Sequence, residues 1–287
     1  MAGKVLLVAA MALLALAQPP ASALEGRGIV FRPELGATEG FTVVHQTRYG
    51  RGDALVDGPG ASYRLSITVM SRSANGYLAR VTVGAVTRLP ATVPGIDHDS
   101  ALALGLDGLT FELALDEAGR PTAIEEWREL RLEMFGRLIR RLRNDPAGEL
   151  VSFTTSRLIR SLDAASAARL LARPLALMAE VRDVPYEHSN LRVDLDLPAR
   201  AGATMLPGPY DWSVSFEPLV TQVVGASWQA RPTRGAAVTE GLEHRENGTA
   251  VYREDGWPTR LAWTATTLNE GDLVERSVTV TMIVGGR

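Results

Sequence analysis

Between residue 24 and about residue 127, apolar and polar positions alternate in short runs separated by turn signals, as antiparallel strands with one buried face require. Tyr63, Leu65, Ile67 and Val69 share one face, opposite Arg64, Ser66 and Thr68. Asn75-Gly76 offers a hairpin turn into a run where Val81, Val83 and Ala85 alternate with Arg80 and Thr82. Leu109, Phe111, Leu113 and Leu115 make a third apolar face that ends in the turn sequence Asp116 to Pro121. The same alternation returns at Leu191, with Val193, Leu195 and Leu197, and continues to the C-terminus. Trp212, Val214 and Phe216 alternate with serines, and Asn247-Gly248, Asp255-Gly256 and Glu270-Gly271-Asp272 read as successive turns.

Between these flanks the period changes. From Trp127, Leu130, Met134, Phe135, Leu138, Ile139 and Leu142 recur at three- and four-residue spacing until Asn144-Asp145-Pro146, which predicts an amphipathic helix. Two further Leu- and Ala-rich stretches, 149–162 and 164–181, predict helices, with Asp163 as an N-cap and Pro174 as a kink or break. The expected fold class is α+β, with a large curved antiparallel sheet drawn from two β-rich flanks and a central block of two or three helices. The expected divisions are a signal peptide at 1–23, a first β-rich unit at 24–127, a helical insertion at 128–183 and a second β-rich unit at 184–287. Residues 24–287 would form one structural domain.

The flanks also resemble each other. Glu117-Ala118-Gly119-Arg120-Pro121-Thr122 matches Glu254-Asp255-Gly256-Trp257-Pro258-Thr259 at an offset of 137. Upstream, Pro59-Gly60 leading to Tyr63 and Ile67 matches Pro207-Gly208 leading to Tyr210 and Val214 at an offset of 147 or 148. Duplication explains the conserved order; ordinary hairpin chemistry also produces Gly-x-Pro after an acidic residue. Both origins fit.

The first residues place the protein outside the cytoplasm. Lys4, the apolar run Val5 to Ala17 and the small-x-small Ala21-Ser22-Ala23 form a secretory signal with cleavage expected near Ala23. The run is too short to span a bilayer, so the mature chain is expected to have no transmembrane segment and to be periplasmic or secreted. The chain contains no cysteine, which excludes thiolate catalysis, zinc-thiolate sites and disulfides. Lys4 is the only lysine, so the mature chain has no Schiff-base or phosphate-loop lysine. Its 29 arginines face 33 acidic residues, a balance that argues against nucleic acid as a partner.

No catalytic or metal motif stands out, and no cofactor is implied. His45, His98, His188 and His244 are too far apart in sequence for a local metal site, and Gly-x-Ser-x-Gly is absent. Asp97-His98-Asp99 reads as a solvated turn, and Glu125, Glu126, Glu129 and Glu133 as helix-dipole partners. Glu187-His188 and Glu243-His244 would point to opposite faces of their strands. The helix from Trp127 carries six arginines against two glutamates. At about 100° per residue, Arg131 falls on its apolar stripe, where it could clamp an anionic headgroup or snorkel. The candidate ligand-binding residues are therefore Arg131, Phe135, Trp212, Trp228 and Trp263, the tryptophans being equally suited to core filling.

In element order and export signal the chain resembles the LolA/LolB-like periplasmic carriers, a resemblance that assigns no individual residue. It implies a half-barrel sheet closed by helices over a hydrophobic cavity. Function is thus expected to be noncatalytic binding or carriage of a hydrophobic or amphipathic ligand, such as a lipid. The alternative is envelope assembly through a protein partner, without a small-molecule ligand; a hydrolase built around His98 or His188 is a third reading.

Overall fold

The computed structural model describes residues 28–51, 54–184, 193–195, 210–220, 223–232, 242–269 and 271–283. The proposed signal segment and Glu187-His188 lie outside them. Alternation in the first flank becomes β1 (Thr38–Arg51), β2 (Ala54–Ser73), β3 (Gly76–Val83), β4 (Thr87–Arg88), β5 (Thr110–Leu115) and β6 (Pro121–Ile124). The second flank becomes β7 (Val193–Leu195), β8 (Tyr210–Val220), β9 (Val223–Pro232), β10 (Leu242–Tyr252), β11 (Pro258–Asn269) and β12 (Asp272–Met282). These twelve strands make one antiparallel sheet of order β6-β5-β3-β2-β1-β12-β11-β10-β9-β8-β7, with β4 paired to β2 off this path. The first and last strands therefore meet at its middle.

The expected α+β class with a central helical block is corrected. About half of the chain is strand and about a quarter helix. The described residues hold five helices: α1 (His98–Leu106), α2 (Trp127–Leu142), α3 (Gly148–Ser161), α4 (Ala164–Leu171) and α5 (Arg173–Met178). Helix α1 precedes β5 and so stands outside the central block. It carries no amphipathic period because Ser100 through Leu106 are all buried, and a helix covered all round shows no stripe. Asp163 caps α4 by accepting from the Ser166 amide at 2.7 Å, and Pro174 in the first turn of α5 separates that helix from α4.

Asn247-Gly248 also differs from expectation, lying within β10 rather than at a turn. Gly248 pairs laterally with both Trp228 and Trp263. A Cβ at Gly248 would run into the Trp228 indole, so the missing side chain makes room for that ring.

The two similar turn sequences close β5–β6 and β10–β11, with Gly119 at φ 77° and Gly256 at φ 83°. Five strand spacings separate these hairpins along the sheet, about 24 Å if it were flat. One side chain nevertheless joins them. Arg182 donates from a terminal nitrogen to the Ala118 carbonyl at 2.9 Å and from Nε to the Gly256 carbonyl at 3.1 Å. Its guanidinium lies 4.1 Å from the Phe31 ring centroid and 5.6 Å from that of Trp257. The sheet therefore curls nearly closed at this end, around a plug of Phe31, Tyr77 and Trp257. Burial pulls the Arg182 pKa down to about 10, which leaves it charged at neutral pH.

Candidate functional site

Along β1 the inward positions change character: Phe41 and Val43 are apolar, whereas His45 and Thr47 are polar, and all four are buried. Neighbouring strands follow the same gradient. The row through His45 continues laterally through Val278, Trp263, Gly248 and Trp228. The next row toward the far end runs through Thr47, Arg276, Ala265, Glu246, Ala230 and Trp212. The inner face thus passes from an apolar end, held by Arg182, to a polar one.

Helices α1 and α5 meet the polar strip with opposite charges. Asp99 of α1 pairs with Arg173 of α5 at 3.3 Å, and the Arg173 guanidinium lies 4.3 Å from the Trp263 ring centroid. Trp263 Nε1 donates to Glu246 Oε2 at 3.3 Å, and His244 bridges Glu246 and Thr267 at 3.0 and 2.9 Å. Nearer β2, His45 Nε2 shares a 2.9 Å hydrogen bond with the Tyr63 hydroxyl, and the two rings stack. Asp97 caps α1 by accepting from the Ser100 amide at 2.8 Å, and it also accepts from the Thr47 hydroxyl. Asp97-His98-Asp99 is therefore a helix start fastened to the sheet and not a solvated turn.

Burial pushes the His45 pKa down to about 4, against the opposing pull of Asp99. The Tyr63 hydroxyl is pushed up, by burial first and by Asp99 second. Burial also raises Asp99, but Arg173, His45, Arg276 and His98 together outweigh it and hold the carboxyl below its ordinary value. All three shifts run away from neutrality, opposite to the tuning of an acid-base catalyst at neutral pH.

An acid-sensitivity follows. His45 binds its proton more readily in the unfolded chain, so stability rises with pH between about 4 and 6.5. On the order of 3 kcal/mol present above pH 6.5 should be lost as the pH falls to 4. Urea unfolding at several pH values should show this slope, and His45→Gln should flatten it; an equal slope in the variant would remove His45 as the cause.

Behind α1 lies a crevice of about 500 Å³ between the segment carrying Leu89 to Ile96 and the α2–α3 turn. Pro59, Leu89, Pro94 and Ile96 give it apolar walls, and Ser100 lines it. The Ser100 hydroxyl is buried and, among the described residues, has no hydrogen-bond partner. Arg88 spans the rim, donating to Asp145 at 2.7 Å and to the Gly95 carbonyl at 3.1 Å. The arrangement suits an apolar body with one hydrogen-bonding end. A second groove, of about 590 Å³, runs between α2 and strands β3 and β5, where it gathers Glu125, Glu126, Glu129 and Glu133.

The expected binding residues do not gather in one place. Trp228 and Trp263 flank Gly248 on the inner face, and Trp212 lies one row away, all three buried. Arg131 and Phe135 are half-buried on α2, with the Arg160 guanidinium 5.3 Å from the Phe135 ring centroid. None of the five lines the crevice. Sequence reasoning missed Ser100, Arg88 and Arg173 and read Asp99 as part of a solvated turn; the available signals were Asp97 three residues before Ser100, an N-cap spacing, and a histidine within the inward series Phe41, Val43, His45.

No family model matches the chain, and no curated protein matches it. Among solved structures it is similar to lipovitellin, in a structure concerned with lipid–protein interactions, at 10% identity and a TM-score of 0.50. That alignment covers 87% of this chain but 25% of the lipovitellin chain. A DUF1329 family protein from Desulfovibrio piger aligns at 10% identity and a TM-score of 0.22, over 88% of each chain. A Bacteroides fragilis protein with a YmcC-like fold aligns at 9% identity and 0.24, over 89% of this chain and 99% of its own. What the first likeness establishes is fold alone: the curved sheet is shared with about a quarter of a much larger chain.

Proposed function

We propose that this is an exported, noncatalytic carrier for an apolar or amphipathic ligand, and that the crevice behind α1 receives it. The supporting observation is the joining of apolar walls, in a volume of about 500 Å³, to the Ser100 hydroxyl, which is buried and has no partner among the described residues. Ligand pockets of roughly 300–1,000 Å³ combine a mostly apolar lining with a few polar groups in this way. Fold likeness to lipovitellin, a protein studied for its lipid–protein interactions, supports the same reading. Arg88 would gate the rim by exchanging Asp145 and Gly95 for the ligand's polar end.

A second reading has its own support. Trp212, Trp228 and Trp263 fill the inner face at 2%, 3% and 1% exposure, as expected of an envelope assembly factor with no small-molecule ligand. Native mass spectrometry of the mature protein, followed by organic extraction, separates the two. Carriage predicts a stoichiometric apolar mass that is lost in Ala91→Trp, which fills the crevice from its exposed rim. A clean mass that stays clean after incubation with envelope lipids would count against carriage and direct crosslinking toward a protein partner.

A further inference from the structure

Helices α2 and α3 pack side by side and leave an apolar outer face. Leu132 is 62% exposed, Ile139 57%, Leu150 69% and Phe153 65%, which makes four of the eight large exposed apolar residues in the described part of the protein. On α2 these positions lie together. Measured from buried Trp127, Leu132, Phe135 and Ile139 fall at about 80–140° around the helix, with Arg128 among them. Glu129 and Glu133 fall at about 200–240°, on the side that lines the acidic groove. The Arg160 guanidinium over Phe135 shows that α3 adjoins the apolar side. Arg128, Arg157 and Arg160 are exposed and Glu129 and Glu133 are turned away, so the patch is apolar and net basic even with the exposed Glu149 on α3 beside it.

We infer that the outer face of the α2–α3 hairpin docks on an anionic phospholipid bilayer. Arginines interleaved with Leu, Ile and Phe on a helix surface are the composition of interfacial helices: apolar side chains enter the headgroup boundary while guanidinium groups meet phosphates. Local charge complementarity works here against the net charge of the chain, which is −3. No helix among the described residues is long and apolar enough to cross a membrane; the inferred docking is peripheral, through the outer face of the hairpin. The α2–α3 turn also forms one wall of the crevice, through Asp145, Pro146 and Ala147. A docked hairpin would bring that opening to the lipid surface. The docking itself does not depend on the carrier reading.

The test is flotation of the mature protein with vesicles of phosphatidylglycerol and phosphatidylcholine in equal parts, against vesicles of phosphatidylcholine alone. Binding should be at least about tenfold stronger to the anionic vesicles and should weaken with salt. Leu132→Ser with Phe153→Ser, both at exposed sites, should lower it about tenfold or more while circular dichroism stays unchanged. Arg157→Glu with Arg160→Glu should do the same. Leu35→Ser, at another exposed apolar position, should leave binding unchanged. Failure to bind anionic vesicles, or binding indifferent to both hairpin variants, would overturn the proposal. Sedimentation showing a dimer that Phe153→Ser dissociates would assign the face to a second copy of the chain instead.

Discussion

Arg182→Ala should destabilise the protein by about 3–5 kcal/mol, measured by urea unfolding at neutral pH. The substitution removes a fully buried side chain, leaves a cavity between Phe31 and Trp257, and strips the Ala118 and Gly256 carbonyls of their donor. Arg182→Lys tests the geometry separately. An ammonium keeps the charge but lacks the planar fork that reaches two turns at once, so it should recover less than half of the loss. Because the two hairpins are distant along the sheet, the variant should also speed amide exchange at both turns together. A loss below about 1 kcal/mol, or exchange confined to one turn, would show that the sheet holds its curl without this residue.

The second large effect concerns Asp99 and Arg173, whose side chains are 22% and 10% exposed. Asp99→Ala should cost about 1–3 kcal/mol because it removes one charge-assisted partner of Arg173 in a mostly buried setting. Adding Arg173→Met should restore part of that loss, since a flexible apolar side chain can keep packing on Trp263 without a charge. A double-mutant cycle should give a coupling of at least about 1 kcal/mol. Strict additivity would mean that the Asp99–Arg173 pair itself contributes nothing to holding α1 against α5. Because Asp99 and Arg173 also act on the His45 pKa, the cycle is to be measured well above pH 6.5, where His45 is neutral in the folded and unfolded chain.

Much of the strand layout was legible because a sheet with one wet face writes its orientation into every second residue. Tyr63, Leu65, Ile67 and Val69 all turn inward as their spacing requires. Helix α2 was legible for the same reason at a different period, and Asp163 and Pro174 marked real boundaries. The class was misjudged because one sheet takes about half of the chain and helices only about a quarter; separately, α1 was missed because it is covered on every side, and its start was mistaken for a polar turn. Gly248 was misread because Asn-Gly has the same letters in a hairpin and beneath an indole. The crevice and the polar strip join residues such as Pro59, Ser100 and Asp145, or Asp99 and Trp263, that only the curvature brings together. Curvature is a property of the whole sheet and has no local signature. The matched turns were visible in the sequence; the arginine that unites them was not.

The pairing of β1 with β12 has a consequence for how the chain is made. Phe41 through Arg51 find their ladder partners in Asp272 through Met282, more than 200 residues further along the chain. Until those arrive, the strand at the middle of the finished sheet is an open edge, with amide and carbonyl groups available to any other extended chain. Native pairing of such high sequence separation is slow to form, and the waiting time is spent in the state most prone to aggregate. The protein is thus committed to late completion, and a truncation that removes β12 would expose the sheet at its centre.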